Sequence, residues 1–577
     1  MPDKILSPQQ VQNLIAQGKA IVIYKDYVLN LTPWLPYHPG GDKAVYHMVG
    51  RDATDEMLAY HGPEAIEVFH KWKVGRINYP WKNLLPPIQG AVYSEGTKVV
   101  HGKDGKLGEL LDDSGRDSSS SVEISSASSS ESDVEEATLS ENYHKSGYPP
   151  QKVTPVVPQN VGVVSFKNVD EIFPVDRKSI IVDPKEALTN YDNELSRRDM
   201  ISLPSLDYET QTDLRNKYNQ LHAKVIKAGL YQCDYWNYVR EVVKLGSLAL
   251  YSFSFLHLGY YTISAVLIAM AWHQGTFIAH DAGHVSITHN YQFDNVFGMF
   301  IAAWCGGLSL GWWKRNHNVH HLITNDPVHD PDIQHLPFFA VSVRLFNNVY
   351  STYYDKFLWF DAVARKMIPL QEYLYYPILA FGRFNLYRLS WTHVLMGEGP
   401  RHGSAAWFRW FELAGLSFFF YWFFYIVVGQ CVEGGWNKLW YVMASHICTM
   451  LVHVQITLSH FAMSTADLGV SESFASRQLR TTMDVDCPQW LDFLHGGLQF
   501  QAIHHLFPRM PRHNLRAAQP YVLDFCKEVG LPYSIYGFGK GNQIIISKLG
   551  EIGKQCSIML DCTRKLSEEK TPVTEMI

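Results

Sequence analysis

Histidine carries the most chemical information in this sequence. The chain holds 26 of them, and many stand in tight groups. One group is His280-Asp-Ala-Gly-His284, a second is His317-Asn-Val-His320-His321, and a third is Gln501-Ala-Ile-His504-His505. Residues three or four apart on a helix share one face. Each group can therefore turn two or three imidazoles toward one point, which is how a metal ion is held. Nitrogen donors without thiolates suit iron, zinc, copper or nickel better than calcium or magnesium. The zinc-protease pattern H-E-x-x-H does not occur, since Asp281 follows His280. A single group of this kind is a common coincidence, but three in one chain point to a metal centre.

A fourth constellation lies near the N-terminus. His38-Pro39-Gly40-Gly41 is followed 23 residues later by His61, with Gly50-Arg51-Asp52-Ala53-Thr54 between them. The Pro-Gly-Gly turn lets the backbone bend sharply. Two imidazoles on opposite faces of a haem iron fill both axial positions, so such a haem passes electrons and binds neither oxygen nor substrate. On these motifs, residues 5 to about 80 closely resemble the cytochrome b5 family. The resemblance implies haem b with His38 and His61 as axial ligands. His47 and His70 are left as surface or core histidines.

The elements that must position these groups fall into separate regions. A chain of 577 residues exceeds one hydrophobic core, so several domains are expected. The stretch IVIYKDYVLNLTPWL alternates as strands do, and Asp42 to Phe69 has helical spacing broken at Gly50 and Gly62. Together they predict a compact α+β haem-binding domain over 1–95. Residues 112–140 hold 12 Ser, 8 acidic residues and one basic residue, too polar to bury a core. They are read as a flexible tether within a largely disordered linker over 96–205. A tether of about 30 residues spans roughly 30 Å and sets an effective concentration on the order of mM.

The membrane part is expected at 206–530, followed by a cytosolic tail at 531–577. The uncharged run Leu245–Ala279 predicts a hairpin of two helices turning near Gly259–Tyr261. Phe411–Gly429 and Leu439–Leu458 predict two further spans, with Glu412, His446 and His453 embedded in them. Phe418–Tyr425 (FFFYWFFY) is expected mainly to pack against lipid and in part to line a slot for a chain. Ten Lys and Arg residues stand between Ala279 and Phe411, against Lys438 alone in the loop Gln430–Lys438. By the positive-inside tendency the middle segment and both ends face the cytosol. Asn295–Trp313 has the length of a span but would then lie in the membrane surface or be buried.

At the cytosolic edge of these segments the histidine groups follow the order H-D-x-x-H, H-x-x-H-H, Q-x-x-H-H. From about Trp236 to Leu515 the chain resembles the membrane fatty-acyl and sphingolipid desaturases, specifically the front-end type with fused cytochrome b5. The resemblance implies an all-α integral membrane domain of about four transmembrane helices with a cytosolic di-iron cap. It implies two irons held by His280, His284, His317, His320, His321, His504 and His505, with His460 as a further ligand. Gln501 stands where other membrane desaturases have a histidine, so its contact with metal is left open. Molecular oxygen would be the co-substrate. Electrons would pass from NADH through cytochrome b5 reductase to the fused haem, at the endoplasmic reticulum membrane. The Ser-rich tether and Leu479–Pro488 look most like the fungal sphingolipid 8-desaturases. The expected substrate is therefore the long-chain base of ceramide or a related sphingolipid, unsaturated at carbons 8–9.

Alternatives within the same chemistry are a front-end acyl-lipid desaturase acting at position 5 or 6, or a di-iron lipid hydroxylase. A different class is a haem-tagged, zinc-binding membrane receptor, which leaves the electron donor unexplained. A plain membrane-anchored electron carrier leaves the second and third histidine groups unexplained. The net charge of −6 argues against nucleic acid as a partner. The 8 cysteines form no C-x-x-C pair, which fits a reducing face and no disulfide scaffold. The N-terminal MPDKILSPQQ has no apolar core, so no cleaved signal peptide is expected.

Overall fold

A computed structural model of the chain describes residues 3–93 and 184–570. The Ser-rich tether expected at 112–140 lies outside the described residues. In the N-terminal unit, strands Ile21–Tyr24 and Tyr27–Asn30 form a hairpin, and Lys73–Arg76 pairs antiparallel with the second. All four residues of the first strand are buried, because cover on both faces replaces the alternation of a half-exposed strand. His38 follows a short 3-10 turn, Leu35–Tyr37, and precedes the helix Asp42–Tyr46. His61 sits between the helices Thr54–Tyr60 and Pro63–Phe69. Gly41 has φ 87°, a left-handed value that a side chain resists, so the second glycine of the Pro-Gly-Gly turn is required there.

In the membrane body, Tyr235–His257 and Tyr261–Gly283 form the expected hairpin, reversing at Leu258–Tyr260. The Ser252 hydroxyl donates across it to the Ser264 carbonyl at 2.8 Å. Among the described residues, three helices are long and apolar enough to cross a membrane: Tyr261–Gly283, Gly403–Cys431 and Gly435–Phe461. The first hairpin helix carries Arg240, Glu241 and Lys244 in its first half and is uncharged from Leu245 on. The loops at one end of the body adjoin each other, since the Glu433 amide donates to the Tyr261 hydroxyl and the Trp440 indole donates to Thr262. His280 and His460 therefore lie at the opposite end of their helices.

The stretch Asn295–Trp313 does not run straight. Tyr291–Cys305 and Leu310–Leu322 are bent by 118° at the break between them. The break exposes backbone groups that lipid cannot satisfy, and the embedded polar residues serve it. Glu412 accepts from the Ser309 hydroxyl and the Gly311 amide, both at 2.9 Å. Ser309 caps the new helix by accepting from the Trp312 amide at 3.0 Å. Buried Arg383 donates to the Gly306 carbonyl. His446 pairs with the Tyr387 hydroxyl at 3.0 Å, and His453 donates to the Leu379 carbonyl at 3.0 Å.

Two further elements brace the histidine end. The long helix Phe538–Lys570 buries Ile545, Leu549, Ile552 and Cys556 against the body. The helix Pro184–Ser202 packs beside it, with the Tyr191 hydroxyl donating to Glu551 at 2.6 Å. Strand Asp484–Asp486, from the stretch that looks sphingolipid-specific, pairs in parallel with Ile535–Gly537.

Candidate functional site

In the N-terminal unit the His38 and His61 rings face each other with centroids 6.2 Å apart. Two metal–nitrogen bonds of about 2 Å plus the two ring radii give about that separation. The Nδ1–H of His38 donates to the Gly41 carbonyl at 2.7 Å, and that of His61 to the Met57 carbonyl at 2.9 Å. A carbonyl only accepts, so both rings carry their proton on Nδ1 and keep the Nε2 lone pair for a metal. Burial, reinforced by His38, pushes the His61 imidazole down to about 4, so it is neutral at neutral pH. The residues present fit a haem held between two imidazoles.

The three histidine groups meet in one place. His280, His284, His317 and His504 place ligand atoms within 4.8 Å of one another, and His320, His460 and His505 do the same. His321 lies between the two nests, stacked on His505 at 4.0 Å with its Nε2 2.9 Å from that of His317. It belongs to neither four-way nor three-way set. The Nε2 atoms of His280, His284, His504 and His505, and Nδ1 of His460 and His321, are buried without a hydrogen-bond partner. So is Oε1 of Gln501. Buried polar atoms are seldom left so, and here they converge from several elements. This donor set fits a pair of metal ions. Burial holds His504 and His505 well below the usual imidazole range, aided by His280 for the first and His460 for the second. They are neutral, as metal ligands must be.

Supporting residues emerge that the histidine spacing does not reveal. Asp330, fully buried, accepts from His320 Nδ1 at 2.8 Å and from the Asn325 and Asp332 amides. Asp332 lies 3.5 Å from His317 and joins His317 and His320 in a third possible ligand set. Gln478 accepts from His505 Nδ1 at 2.8 Å and donates to the His321 carbonyl. Asp281 accepts from Arg512 and the Tyr238 hydroxyl through one oxygen, while the other lies 3.8 Å from His280 Nδ1. Asp484 accepts from the Ala502 amide and the Tyr533 hydroxyl, fixing the start of the third box, and burial pushes it up to about 7. Gly283 leaves room for Trp313: a Cβ there would lie 2.1 Å from the indole, which packs against the His280, His284 and His317 rings.

A cavity of about 1700 Å³ opens onto this centre. His280, His317, His320, His460 and Gln501 form part of its wall. Elsewhere it is lined by apolar groups such as Trp272, Ile301, Trp304 and Trp422. Of the aromatic run at 418–425, Phe418 and Trp422 reach the cavity, whereas Phe419 and Phe423 are buried in the helix core. Polar groups also line it. Arg315, Glu398 and Asp355 lie together beside the haem-binding unit, as Arg315 pairs with Glu398 and with Asp42, and Asp355 with Lys43.

The haem-binding unit is seated on the histidine end. Val319, Leu322, Ile323 and Tyr353 share its hydrophobic core, and its Ala59 joins the core around Tyr218 and Ile503. Arg215 pairs with Asp52 and Asp55, and the Asn219 amide donates to Asp55 at 3.1 Å. Asn318, one residue from His317, donates to the Gly40 carbonyl at 3.2 Å.

Comparison with known proteins agrees with this division. The family profile "Fatty acid desaturase" matches residues 257–537, and "Cytochrome b5-like Heme/Steroid binding domain" matches residues 7–78. A Delta 8-(E)-sphingolipid desaturase of Candida albicans is 66% identical over 576 residues, covering 98% of this chain and 98% of the relative. One of Lachancea kluyveri is 57% identical, covering 99% and 97%. An Acyl-lipid (9-3)-desaturase of Borago officinalis is 37% identical over 287 residues, covering 50% of this chain and 62% of its own.

Proposed function

This chain belongs to the membrane fatty acid desaturases with a fused cytochrome b5-like domain, and we propose that it desaturates the long-chain base of a ceramide-type sphingolipid. The new double bond lies between carbons 8 and 9 and is trans, the activity carried in the names of its near full-length relatives. The observation that carries this reading is the largely apolar cavity of about 1700 Å³ whose wall is formed in part by residues of the two histidine nests.

Held by His280, His284, His317 and His504 and by His320, His460 and His505, iron would supply the oxygen activation needed to break two unactivated C–H bonds, and a haem held by His38 and His61 would supply the electrons. The chain's own residues set where this happens. Asp330 and Gln478 fix the rings of His320 and His505, so their free nitrogens point inward without reorganisation. Trp313 shields one side of the first nest from water. The apolar walls hold an extended chain, while Arg315, Glu398 and Asp355 offer hydrogen bonds to the polar end of the lipid. Holding that end at one place fixes which carbons lie beside the histidines, so position is selected by geometry.

Lipid analysis of a host that lacks 8-desaturation tests the reading. With this protein expressed, 8-unsaturated long-chain bases should appear while fatty acids stay unchanged. New unsaturation confined to fatty acids at position 5 or 6 would replace this reading with the acyl-lipid one.

The excess of Lys and Arg between Ala279 and Phe411 over the loop Gln430–Lys438 supports both termini and the histidine end on the cytosolic face of the endoplasmic reticulum membrane, where cytochrome b5 reductase and NADH would reach the haem domain. Glycosylation tags near residue 300 or at the C-terminus should then remain unmodified. A tag in the loop Gln430–Lys438 should be modified, and the reverse pattern would invert the orientation.

A further inference from the structure

The segment that carries His61 reaches the histidine rings of the metal-binding end through Tyr60. Tyr60 precedes His61 directly, at the end of the helix Thr54–Tyr60. Its ring stands edge-on to His321 with centroids 5.9 Å apart, and edge-on to Phe474 at 6.4 Å. Its hydroxyl is buried without a hydrogen-bond partner. Burying a phenol hydroxyl without a partner costs free energy, so the apolar contacts of the ring have to offset it. His321 in turn stacks on His505, lies 2.9 Å from His317 through Nε2, and has ring neighbours in His284 and His504 at 4.9 Å. One residue thus contacts the centre of both nests and is bonded to the residue facing His38.

The surrounding contacts hold this meeting in register. Asp52 and Asp55 pair with Arg215 on one side, and Lys43 pairs with Asp355 on the other. Arg215 lies on the helix Tyr208–Lys227, whose Tyr218 donates to the Leu506 carbonyl next to His505. The seat of the haem-binding unit and the third histidine box therefore share one support.

We propose that Tyr60 is the positioning residue for electron passage, its ring bridging the His61 segment to His321 when the haem-binding unit is seated. This inference rests on the desaturase reading. Each passage oxidises ferrous haem iron to ferric and reduces the metal pair by one electron. Two passages and two solvent protons, with the two hydrogens taken from the lipid, reduce one oxygen molecule to two waters. The ring, rather than the hydroxyl, is the element that matters, because the hydroxyl bonds to nothing.

The test follows the haem itself. The full-length protein is reduced anaerobically and mixed with oxygen and a saturated ceramide in detergent, and the decay of the reduced-haem band is recorded. Tyr60→Leu should slow this decay by about tenfold or more, a barrier increase of ~1.4 kcal/mol, and Tyr60→Phe should keep the native rate. The haem spectrum, haem potential and yield of a zero-length cross-link between Lys43 and Asp355 should be unchanged in both. A native rate in Tyr60→Leu overturns the proposal, as does loss of the cross-link, which would make Tyr60 a docking residue only. If the unmodified protein shows no lipid-dependent decay, the desaturase reading fails instead.

Discussion

Replacing His320 by Ala should reduce desaturation to background while the haem band keeps its normal intensity. His320 is 1% exposed, and its Nδ1 is committed to Asp330, so its remaining nitrogen faces His460 and His505. Those three residues make up the smaller nest. Removing one donor of three leaves the ion under-coordinated and opens a gap in the cavity wall. The same loss is expected for His280, His284, His317, His321, His504 and His505. Asp330→Asn should keep the ring in place but weaken metal binding by about 10–100-fold, the usual effect of losing an outer carboxylate. His289, His329 and His402 should tolerate Ala. His289 is occupied by the Val285 and Tyr231 carbonyls, His329 by Thr352, and His402 is exposed. Iron and haem per polypeptide, measured beside product formation, separate the cases. Full activity in His320→Ala would remove the smaller nest from the reaction.

The residues legible in the sequence are those whose partners are close in the chain. Histidines at three- and four-residue spacing announce themselves because a helix turns them to one side. The hairpin at Gly259 is legible for a similar reason, since an uncharged run of that length must reverse. Asp330, Gln478, Asp484 and Arg512 are not, because they reach the boxes from separate segments and have no spacing rule. Hydropathy alone makes Asn295–Trp313 a span. Its 118° bend follows from Gly306-Gly307, the capping Ser309 and the otherwise odd Glu412, which lies 101 residues beyond Gly311 in sequence. The Ser-rich sequence at 112–140, read as a tether, carries the expectation that the N-terminal unit meets the rest. Where it sits depends on Arg215, Lys43 and Tyr60, and nothing in their local sequence marks them.

Replacing His61 by Ala should abolish the haem band and stop turnover, while the nests still take up iron. The two effects separate because the two sites share no ligand. His61 offers Nε2 only because Met57 takes its Nδ1 proton, and its ring lies edge-on to Phe69 at 5.1 Å. An alanine leaves His38 as a lone ligand in a cleft built for two. His38→Ala should behave alike, with the Gly41 carbonyl losing its partner as well. Acid should mimic the substitution in part. The free imidazole titrates near 6.5 and the seated one at about 4, so across that window the unfolded cleft binds more protons. Stability of the seat is then full above 6.5 and falls as pH drops toward 4. Haem absorbance recorded against pH in the full-length protein should decline over that range before the iron content does. A bis-imidazole spectrum persisting in a protein with both histidines replaced would show that other residues hold the haem.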